Sequence, residues 1–296
     1  MEKSRQSYFY ALAAILLWST VPTAFKISLG MLPVLPLLTI ASVTSAFVLF
    51  AVILFQGKLH LILQSTTADL LNSAMLGFIN PLLYYIILLT AYQLLPAQVA
   101  QPLNMIWPIV LVFLSVPLLK QRIPKKSYLA LLVSFTGVYI ISSQGNPFHP
   151  GAVSTKGVAL AAGSSVFWAL YFIMNLRDKR DEAVKLFMNF LFGSIYLVLA
   201  LILTGSWPEK ISFNAIASSA YLGLFEMGIT FLLWLKALSL SVTTDKVSNL
   251  VYLGPFISLV FVHFILHEPV YYTTPAGLLL IISGVLIQNT KKDIFK

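Results

Sequence analysis

The charged residues of this 296-residue chain are segregated, and long apolar stretches without a single charge lie between them. Residues 6–25, 27–57, 70–119 and 186–208 are four of these stretches. A transmembrane helix needs about 20 mostly apolar residues, so each stretch is long enough to cross a bilayer. Charged residues make up only 10% of the chain, whereas soluble proteins carry about a quarter. The sequence therefore predicts an all-α integral membrane protein.

Proline and glycine divide the longest apolar stretches into single crossings. Pro96 interrupts the stretch 70–119, and proline suits the first position of a helix because its missing N–H costs nothing there. A second division falls at Gly30 to Pro33. The result is ten predicted transmembrane helices, spans 1 to 10, at residues 8–28, 33–55, 70–93, 97–118, 127–144, 157–176, 184–204, 214–238, 244–266 and 274–290.

The chain also matches itself when it is shifted by about 147 positions. Pro108 then falls on Pro255, and Gly137 falls on Gly284. The two halves, 1–146 and 153–296, hold five spans each. An odd number of spans makes the second half enter the membrane from the opposite side. We expect two inverted five-helix repeats.

The basic residues predict how the chain is oriented in the membrane. With the N-terminus in the cytoplasm, 16 of the 19 Lys and Arg fall on or next to the cytoplasmic side, and Lys26, Lys156 and Lys210 fall on the other. This bias satisfies the positive-inside rule. We expect a multi-pass protein of the inner (cytoplasmic) membrane with both termini in the cytoplasm. The net charge of +9 then reflects membrane orientation, and no nucleic-acid partner is predicted.

Several short motifs recur at matching places in the two halves. A Trp lies in the first span of each half, Trp18 and Trp168, and Pro108 and Pro255 lie in the fourth. The fifth spans carry Gly137 and Gly284. In these features the chain resembles the EamA-type transporters of the drug/metabolite transporter superfamily. The resemblance implies a transporter, not an enzyme, whose cavity is lined by the first, third and fourth helices of each repeat.

The same resemblance places the fifth helices at the periphery, where they would support the fold and a homodimer. Gly277 and Gly284 lie on one face of span 10, matched by Ala130 and Gly137 in span 5. Small residues let membrane helices pack closely. This spacing fits helix packing within one chain equally well, so both alternatives stay open.

Glu226 is the polar residue that most needs an explanation. It lies at the middle of span 8, where an acidic group costs about 2.5–3.5 kcal/mol on insertion scales. Its repeat mate is Asn80, near the middle of span 3. The low dielectric of the midplane disfavours the ionised carboxyl. Glu226 is therefore the predicted proton-coupling residue, with a hydrogen-bonded structural carboxyl as the alternative.

Other polar and aromatic side chains form stripes along several spans, at helical spacing. Aromatic faces attract a cation, and a carboxylate would neutralise it, so the predicted substrate is a small organic cation or an amino acid. Together with the midplane carboxyl, the predicted substrate-binding residues are Trp18, Asn80, Tyr84, Gln101, Asn104, Trp168, Tyr171, Asn175, Glu226 and Tyr252.

The function predicted from these residues is secondary active transport of small amino-acid-like or cationic metabolites, coupled to protons and working by alternating access. No cofactor, metal or catalytic residue is predicted, and the absence of cysteine removes thiolate chemistry. One alternative is an intramembrane metal-dependent enzyme that uses His263, His267 and Glu268. Two His at i and i+4 can bind a metal, but Glu268 follows the second His instead of the first. A non-transporting membrane receptor is the other alternative.

Overall fold

The computed structural model describes residues 2–119, 125–146, 153–240 and 250–289, and within these ranges it contains helices and no strand. A π-helical turn, Phe78–Leu83, separates α4 from α5, and a short 3-10 turn, Leu250–Tyr252, precedes α13. The helices are α1 (Glu2–Leu29), α2 (Val34–Phe55), α3 (Leu59–Leu63), α4 (Thr67–Gly77), α5 (Tyr84–Leu94), α6 (Ala97–Asn104), α7 (Trp107–Leu119), α8 (Lys126–Ser142), α9 (Thr155–Arg177), α10 (Glu182–Thr204), α11 (Phe213–Phe225), α12 (Ile229–Leu240), α13 (Leu253–Leu266) and α14 (Thr273–Asn289).

Six helical segments of the described chain are long and apolar enough to cross a membrane, and the prediction of a helical multi-pass protein is confirmed to that extent. Three shorter apolar helices, Lys126–Ser142, Leu253–Leu266 and Thr273–Ile287, coincide with predicted spans 5, 9 and 10. The total of ten spans and their inverted relation stay predictions. The six segments are Arg5–Leu29, Val34–Phe55, Thr67–Leu94, Thr155–Asn175, Glu182–Thr204 and Phe213–Trp234.

Local sequence explains where several of these helices begin and end. The Thr66 hydroxyl accepts the Asp69 backbone N–H at 3.2 Å, and the Asp69 carboxylate accepts the Thr66 N–H at 2.9 Å, which starts α4 with a capping box. Asp181 caps α10 by accepting the Ala183 N–H at 3.0 Å. That helix ends at Gly205, whose φ of 61° is a left-handed conformation that favours glycine.

Three of the spans predicted as continuous helices are broken within their length. Span 3 breaks at Asn80, which has extended φ and ψ of −145° and 116°, and Pro81 follows it without an N–H to donate. Span 8 breaks between Phe225 and Ile229. There the Ser45 hydroxyl donates to the Met227 carbonyl at 3.0 Å, so a side chain satisfies a backbone group at the break. Span 4 is likewise divided into α6 and α7.

The helices form two compact units, and each unit combines segments from both halves of the sequence. The first unit consists of Met1–Ile86 and Asp178–Phe261. Within it α2 packs against α10 and α11, and α1 packs against α11 and α12. The N-terminal part of span 3, formed by α4 and the π-helical turn, packs against α10. The broken spans 3 and 8 therefore both contribute their breaks to this unit.

The second unit consists of Ile87–Arg177 and Val262–Lys296, and its tightest helix pair is α8 with α14. A Cβ atom added to Gly137 would lie 2.5 Å from the Gly277 carbonyl oxygen, and one added to Gly277 would lie 2.6 Å from the Gly137 oxygen. The small-residue stripes of spans 5 and 10 thus face each other within one chain. A homodimer stays a prediction, and these glycines are already used for internal packing.

A network of charges joins the segment just before α10 to the middle of α4 in the first unit. The Arg180 guanidinium donates to Asp178 at 2.5 Å and to the Ser73 hydroxyl at 2.7 Å, and Asn72 donates to Asp178 at 3.1 Å. Burial alone would raise the pKa of the Asp178 carboxyl. The hydrogen bonds and charge of Arg180, with the charge of Lys185, outweigh burial and hold this pKa below its ordinary value.

Asp181 forms the second part of this network. Its carboxylate accepts a hydrogen bond from the Lys58 ammonium at 2.7 Å. Burial opposes ionisation here as well, but Lys58 and the backbone N–H groups of Ala183 and Val184 lower the pKa of Asp181 below its ordinary value. Both carboxylates are therefore held in their charged form by native contacts.

Candidate functional site

Glu226 lies where α11 ends, in the middle of the apolar segment Phe213–Trp234. Its backbone N–H still donates to the Leu222 carbonyl at 2.8 Å, so the break in the helix begins at this residue. The side chain is half-buried. Among the described residues, no Lys, Arg or His lies within salt-bridge distance of its carboxylate. Span 8 thus carries a carboxyl group at mid-depth that has no positive partner among them.

Tyr85 supplies the hydrogen bond that positions this carboxyl. Its phenol donates to Glu226 Oε1 at 3.0 Å. The Tyr85 side chain is completely buried, with the Phe25 ring centroid at 6.3 Å and the Tyr84 centroid at 4.7 Å, both in edge-to-face geometry. Because its ring is packed on these neighbours, the phenol has a fixed direction. One oxygen of the Glu226 carboxyl is therefore held in place.

The sequence pattern missed Tyr85 and named its neighbour Tyr84, one α-helical turn after Asn80. The structure puts a π-helical turn between them. Asn80 has extended φ and ψ within this turn, so regular helical spacing does not continue from Asn80 to the two tyrosines. An Asn-Pro pair at the centre of a span was the available signal for this break.

Asn80 itself lies inside the broken segment, with only 1% of its surface exposed. Its side-chain oxygen has no hydrogen-bond partner among the described residues. Asn80 is separated by five residues from Tyr85, which contacts Glu226. Asn80 and Glu226, which the sequence predicts to be repeat mates, therefore both occur where a span of the first unit is broken.

Residues of α1 line the rest of this region of the first unit. The Thr20 and Tyr221 hydroxyls are hydrogen-bonded at 2.6 Å. Two residues earlier in α1, the Trp18 ring lies 5.5 Å from Phe231 and 5.7 Å from Trp234, centroid to centroid. Trp18 is half-buried. The structure therefore packs the Trp18 ring of α1 against α12, the helix that follows the break at Glu226.

The second unit holds a separate set of predicted residues on α6 and α9, two helices that pack together. The Asn104 amide donates to the Ser164 hydroxyl at 2.7 Å. Gln101 and Asn104 are both buried, at 9% and 8% exposure. The polar stripe predicted on span 4 is thus a buried face that contacts α9.

The aromatic stripe predicted on span 6 lies on the same helix, α9. Trp168 and Tyr171 pack at 6.0 Å between ring centroids, and Asn175 is half-buried one turn further along. Tyr252 ends the 3-10 turn before α13, but its side chain lies outside the described residues. The structure therefore keeps the stripe Trp168, Tyr171 and Asn175 on one helix.

Glu268 has a structural contact that bears on the metal-enzyme alternative. Its carboxylate oxygens accept the backbone N–H groups of Ala97 at 3.1 Å and Gln98 at 3.4 Å, so it caps the start of α6. The His263 ring lies 3.2 Å from the backbone oxygen of Glu268. No cluster of three or more His, Asp or Glu suited to a metal ion occurs in the described ranges.

Comparison with known proteins assigns the chain to a family. The model of the EamA-like transporter family matches residues 5–143 and again residues 155–290. An uncharacterized transporter of Bacillus subtilis (strain 168), YvbV, is 29% identical over 98% of this chain and 93% of its own length. An uncharacterized transporter of Archaeoglobus fulgidus is 28% identical over 93% of this chain and 95% of its own length.

A solved crystal structure covers 96% of this chain and 96% of its own, with a TM-score of 0.66 at 20% identity, a likeness that shows the fold alone. The family matches cover almost the whole chain, and they agree with its apolar helices. The chain therefore belongs to the EamA-like transporter family of the drug/metabolite transporter superfamily, and it is a multi-pass membrane transporter.

Proposed function

We propose that this transporter moves small cationic or amino-acid-like metabolites across the cytoplasmic membrane, driven by protons that bind to Glu226. It works by alternating access, with ten spans in two inverted repeats and both termini in the cytoplasm. The observation that supports the proposal is the Glu226 carboxyl: it lies at mid-span, is half-buried, and is held by Tyr85 without a positive partner among the described residues.

A carboxyl in this position needs either a proton or a cation. Its ionised form is costly within the membrane, and such groups occur mainly in ion pathways and proton relays. A carboxyl kept only for structure would be expected to be enclosed and fully hydrogen-bonded. Glu226 instead accepts one side-chain hydrogen bond from a described residue. These properties suit a carboxyl group that binds a proton and a cation in turn during the transport cycle.

The neighbouring side chains favour a cationic substrate. The Tyr85 phenol contacts Glu226. Two further groups lie on or against the two halves of span 8: the Tyr221 hydroxyl of α11, which is bonded to Thr20, and the Trp18 ring of α1, which packs on Phe231 of α12. Ring faces and a carboxylate attract an ammonium group. Lys26 and Lys236, the basic residues nearest to these spans, lie near helix ends, so anionic substrates have less support.

Substrate and proton compete for one site, and this competition couples their movements across the membrane. Glu226 holds a proton when the site is empty. An arriving ammonium group favours the ionised carboxylate, and the proton leaves. The Tyr85 phenol can stabilise the carboxylate as it becomes charged, because hydrogen bonds to ionised groups are stronger than those to neutral ones. Substrate and proton thus bind in alternation.

The test begins with a thermal-shift screen of the purified protein against amines and amino acids, because a ligand that binds the folded state raises its unfolding temperature. A ligand found in this way is then offered to proteoliposomes under an imposed pH gradient. Glu226→Gln keeps the shape of the protonated carboxyl but cannot release a proton. We expect it to fold and to lose proton-driven accumulation.

Glu209→Gln is the matched control, because Glu209 is exposed in the loop before α11 and carries the same charge. It should accumulate substrate as the wild type does. Accumulation by Glu226→Gln with unchanged pH dependence would show that the proton binds elsewhere and that Glu226 is structural.

A further inference from the structure

The start of α6 has no capping residue of its own. Pro96 occupies the N-cap position and makes no side-chain hydrogen bond there. The first two backbone N–H groups of the helix belong to Ala97 and Gln98, which are 0% and 1% exposed, and they donate to the Glu268 carboxylate oxygens at 3.1 and 3.4 Å. The third and fourth N–H groups donate to the Pro96 carbonyl at 3.0 Å. Glu268 therefore satisfies two buried donors that the helix leaves without an acceptor.

The Gln98 side chain attaches the same part of the chain to α6 a second time. Its amide nitrogen donates to the Pro269 carbonyl, and its side-chain oxygen accepts the hydroxyl of Thr274 at 3.0 Å. Thr274 is fully buried at the start of α14. The loop between α13 and α14 therefore holds the first turn of α6 through Glu268, Pro269 and Thr274, and all of these residues belong to the second unit.

The loop reaches α6 through a backbone conformation that its sequence disfavours. His267, the residue before Glu268, has a positive φ of 56°. Left-handed backbone is uncommon for residues other than glycine, and it persists where surrounding contacts hold it. Here the contacts are those of Glu268, whose backbone oxygen also lies 3.2 Å from the His263 ring. Strain at His267 therefore favours departure of the loop once the contacts of Glu268 are lost.

Helix α6 depends on these contacts because it is short. It has eight residues, Ala97–Asn104, and it contains Pro102. Such a helix has little stability alone, since starting a helix costs more than extending it, and a negative charge at its N-terminus stabilises it through the helix dipole. Gln101 and Asn104 follow one and two turns after the capped N–H groups. The order of the first turn therefore fixes the direction of these two side chains.

We propose that Glu268 is a detachable cap of α6 that positions Gln101 and Asn104. While its carboxylate accepts the Ala97 and Gln98 N–H groups, α6 is helical from its first residue and both side chains have a fixed register. When the carboxylate leaves, two buried donors lose their acceptor, the first turn opens, and the two side chains turn away. Glu268 is thus a positioning residue that acts through α6. Its effect on substrate rests on the proposed function, whereas the cap itself does not.

The other half of the sequence carries a different solution at the matching place. A shift of 147 positions from Pro96 leads to Thr243, just before predicted span 9, and Thr is a residue type that caps helices from within the chain. The same shift leads from Glu268 back to Gln121, which carries no charge. The half with a carboxylate in the loop therefore lacks a capping residue at the helix start, and the half with a capping residue lacks the carboxylate.

Hydrogen exchange of the full chain in mild detergent tests the cap. Glu268→Gln keeps the size of the side chain but removes its charge and one acceptor oxygen. We expect amide exchange at residues 97–104 to be several-fold faster than in the wild type, with unchanged exchange at residues 126–142 of α8. Glu209→Gln, which removes an exposed carboxylate, is the matched control and should exchange as the wild type does.

A second substitution supplies the cap from within α6. Pro96 has an extended ψ of 148°, which suits a capping residue, so Pro96→Asp places a carboxylate at the N-cap position. Combined with Glu268→Gln, it should return exchange at residues 97–104 to the wild-type rate. Unchanged exchange in Glu268→Gln, or no recovery in the double variant, would overturn the proposal.

Ligand affinity tests the positioning role. With an amine or amino acid found in the thermal-shift screen, isothermal titration calorimetry should show several-fold weaker binding by Glu268→Gln and recovery in the double variant. Gly284→Ala is the control for stability alone, because its added Cβ would lie 2.7 Å from the Ala130 carbonyl oxygen, in the second half of α14 and away from Thr274. It should bind as the wild type does, and an equal loss of affinity would make the role of Glu268 structural.

The two proposals fail in different ways. Wild-type affinity in Glu268→Gln together with lost accumulation in Glu226→Gln would overturn the positioning role and support the proposed function. Weaker binding by Glu268→Gln, with unchanged proton-driven accumulation in Glu226→Gln, would support the positioning role and overturn proton coupling at Glu226.

Discussion

Glu226 and Tyr85 come from different spans, and a single hydrogen bond of 3.0 Å connects them. The bond joins span 3 just after its break to span 8 at the start of its break. A change in the charge of Glu226 therefore acts on both broken helices at once. At the residue scale, this pair carries the proposed coupling between proton, substrate and conformation.

Tyr85→Phe isolates the contribution of the phenol, because the ring can still pack on Phe25 and Tyr84. A hydrogen bond to a charged group contributes about 1.5–3 kcal/mol. We expect the variant to fold normally and to bind a cationic ligand roughly 10-fold or more weakly. Isothermal titration calorimetry with a ligand from the thermal-shift screen measures this loss.

Tyr128→Phe serves as the control, since Tyr128 is 56% exposed on α8 and belongs to the second unit. It should bind the ligand as the wild type does. Unchanged affinity in Tyr85→Phe would mean that the hydrogen bond to Glu226 has no part in substrate binding.

At the scale of helices, the contact of α8 with α14 depends on two glycines that touch each other. Gly137→Ala would place a methyl group 2.5 Å from the Gly277 carbonyl oxygen and 2.8 Å from an Ile281 side-chain carbon. Overpacking of this kind costs typically about 1–3 kcal/mol. We expect a lower thermal unfolding temperature for this variant in detergent.

Gly163→Ala is the matched control within a helix, because an added Cβ there meets no atom within 4 Å. It should leave the unfolding temperature unchanged or raise it slightly, since alanine lowers the entropy of the unfolded chain. If Gly137→Ala is as stable as Gly163→Ala, the two helices do not pack as closely as described.

The charge network between α4 and α10 makes a prediction about pH. The pKa of Asp178 is lowered in the folded state from its ordinary value of 3.8, so its contribution to stability is complete above that value and is lost as pH falls through the folded pKa. We expect the wild-type unfolding temperature to fall at such acidic pH. Circular dichroism between pH 7 and pH 3 follows the loss.

Asp178→Asn removes the titrating group. Asp178 and Arg180 side chains are only 4% and 13% exposed, and removing one partner of a buried ion pair costs about 3–5 kcal/mol. The variant should be less stable than the wild type at pH 7, and acidification should lower its unfolding temperature by less. A wild-type-like loss of stability at low pH in Asp178→Asn would assign the effect to other carboxylates.

At the scale of the whole molecule, the distribution of basic residues predicts the orientation in the membrane. The chain contains no cysteine, so single reporter cysteines need no prior removal of thiols. A cysteine at the exposed Ser206 should react with an impermeant thiol reagent outside intact cells, and one at the exposed Gln64 should react only after permeabilisation. The opposite labelling pattern would reverse the predicted topology.

The sequence by itself determined the class of protein and most of its helices. Long charge-free apolar stretches can form few other structures in a membrane, because every backbone polar group in lipid must be hydrogen-bonded within a helix or a closed barrel. The motifs at Trp18, Pro108 and Gly284 indicated the family, which the comparisons confirm. The sequence also singled out Glu226, because a lone carboxyl group in an apolar span is conspicuous without any structure.

Only the tertiary structure decided which side chains meet. Helical periodicity describes the face of one helix and carries no information about its partner, so the Tyr85–Glu226 bond, the Glu268 cap on α6 and the contact of Gly137 with Gly277 were not predictable. Periodicity also assumes an unbroken helix. The extended Asn80 within the π-helical turn Phe78–Leu83 interrupts the regular spacing of span 3, and for that physical reason periodicity counted from Asn80 could not identify Tyr85 as the residue whose hydroxyl holds Glu226.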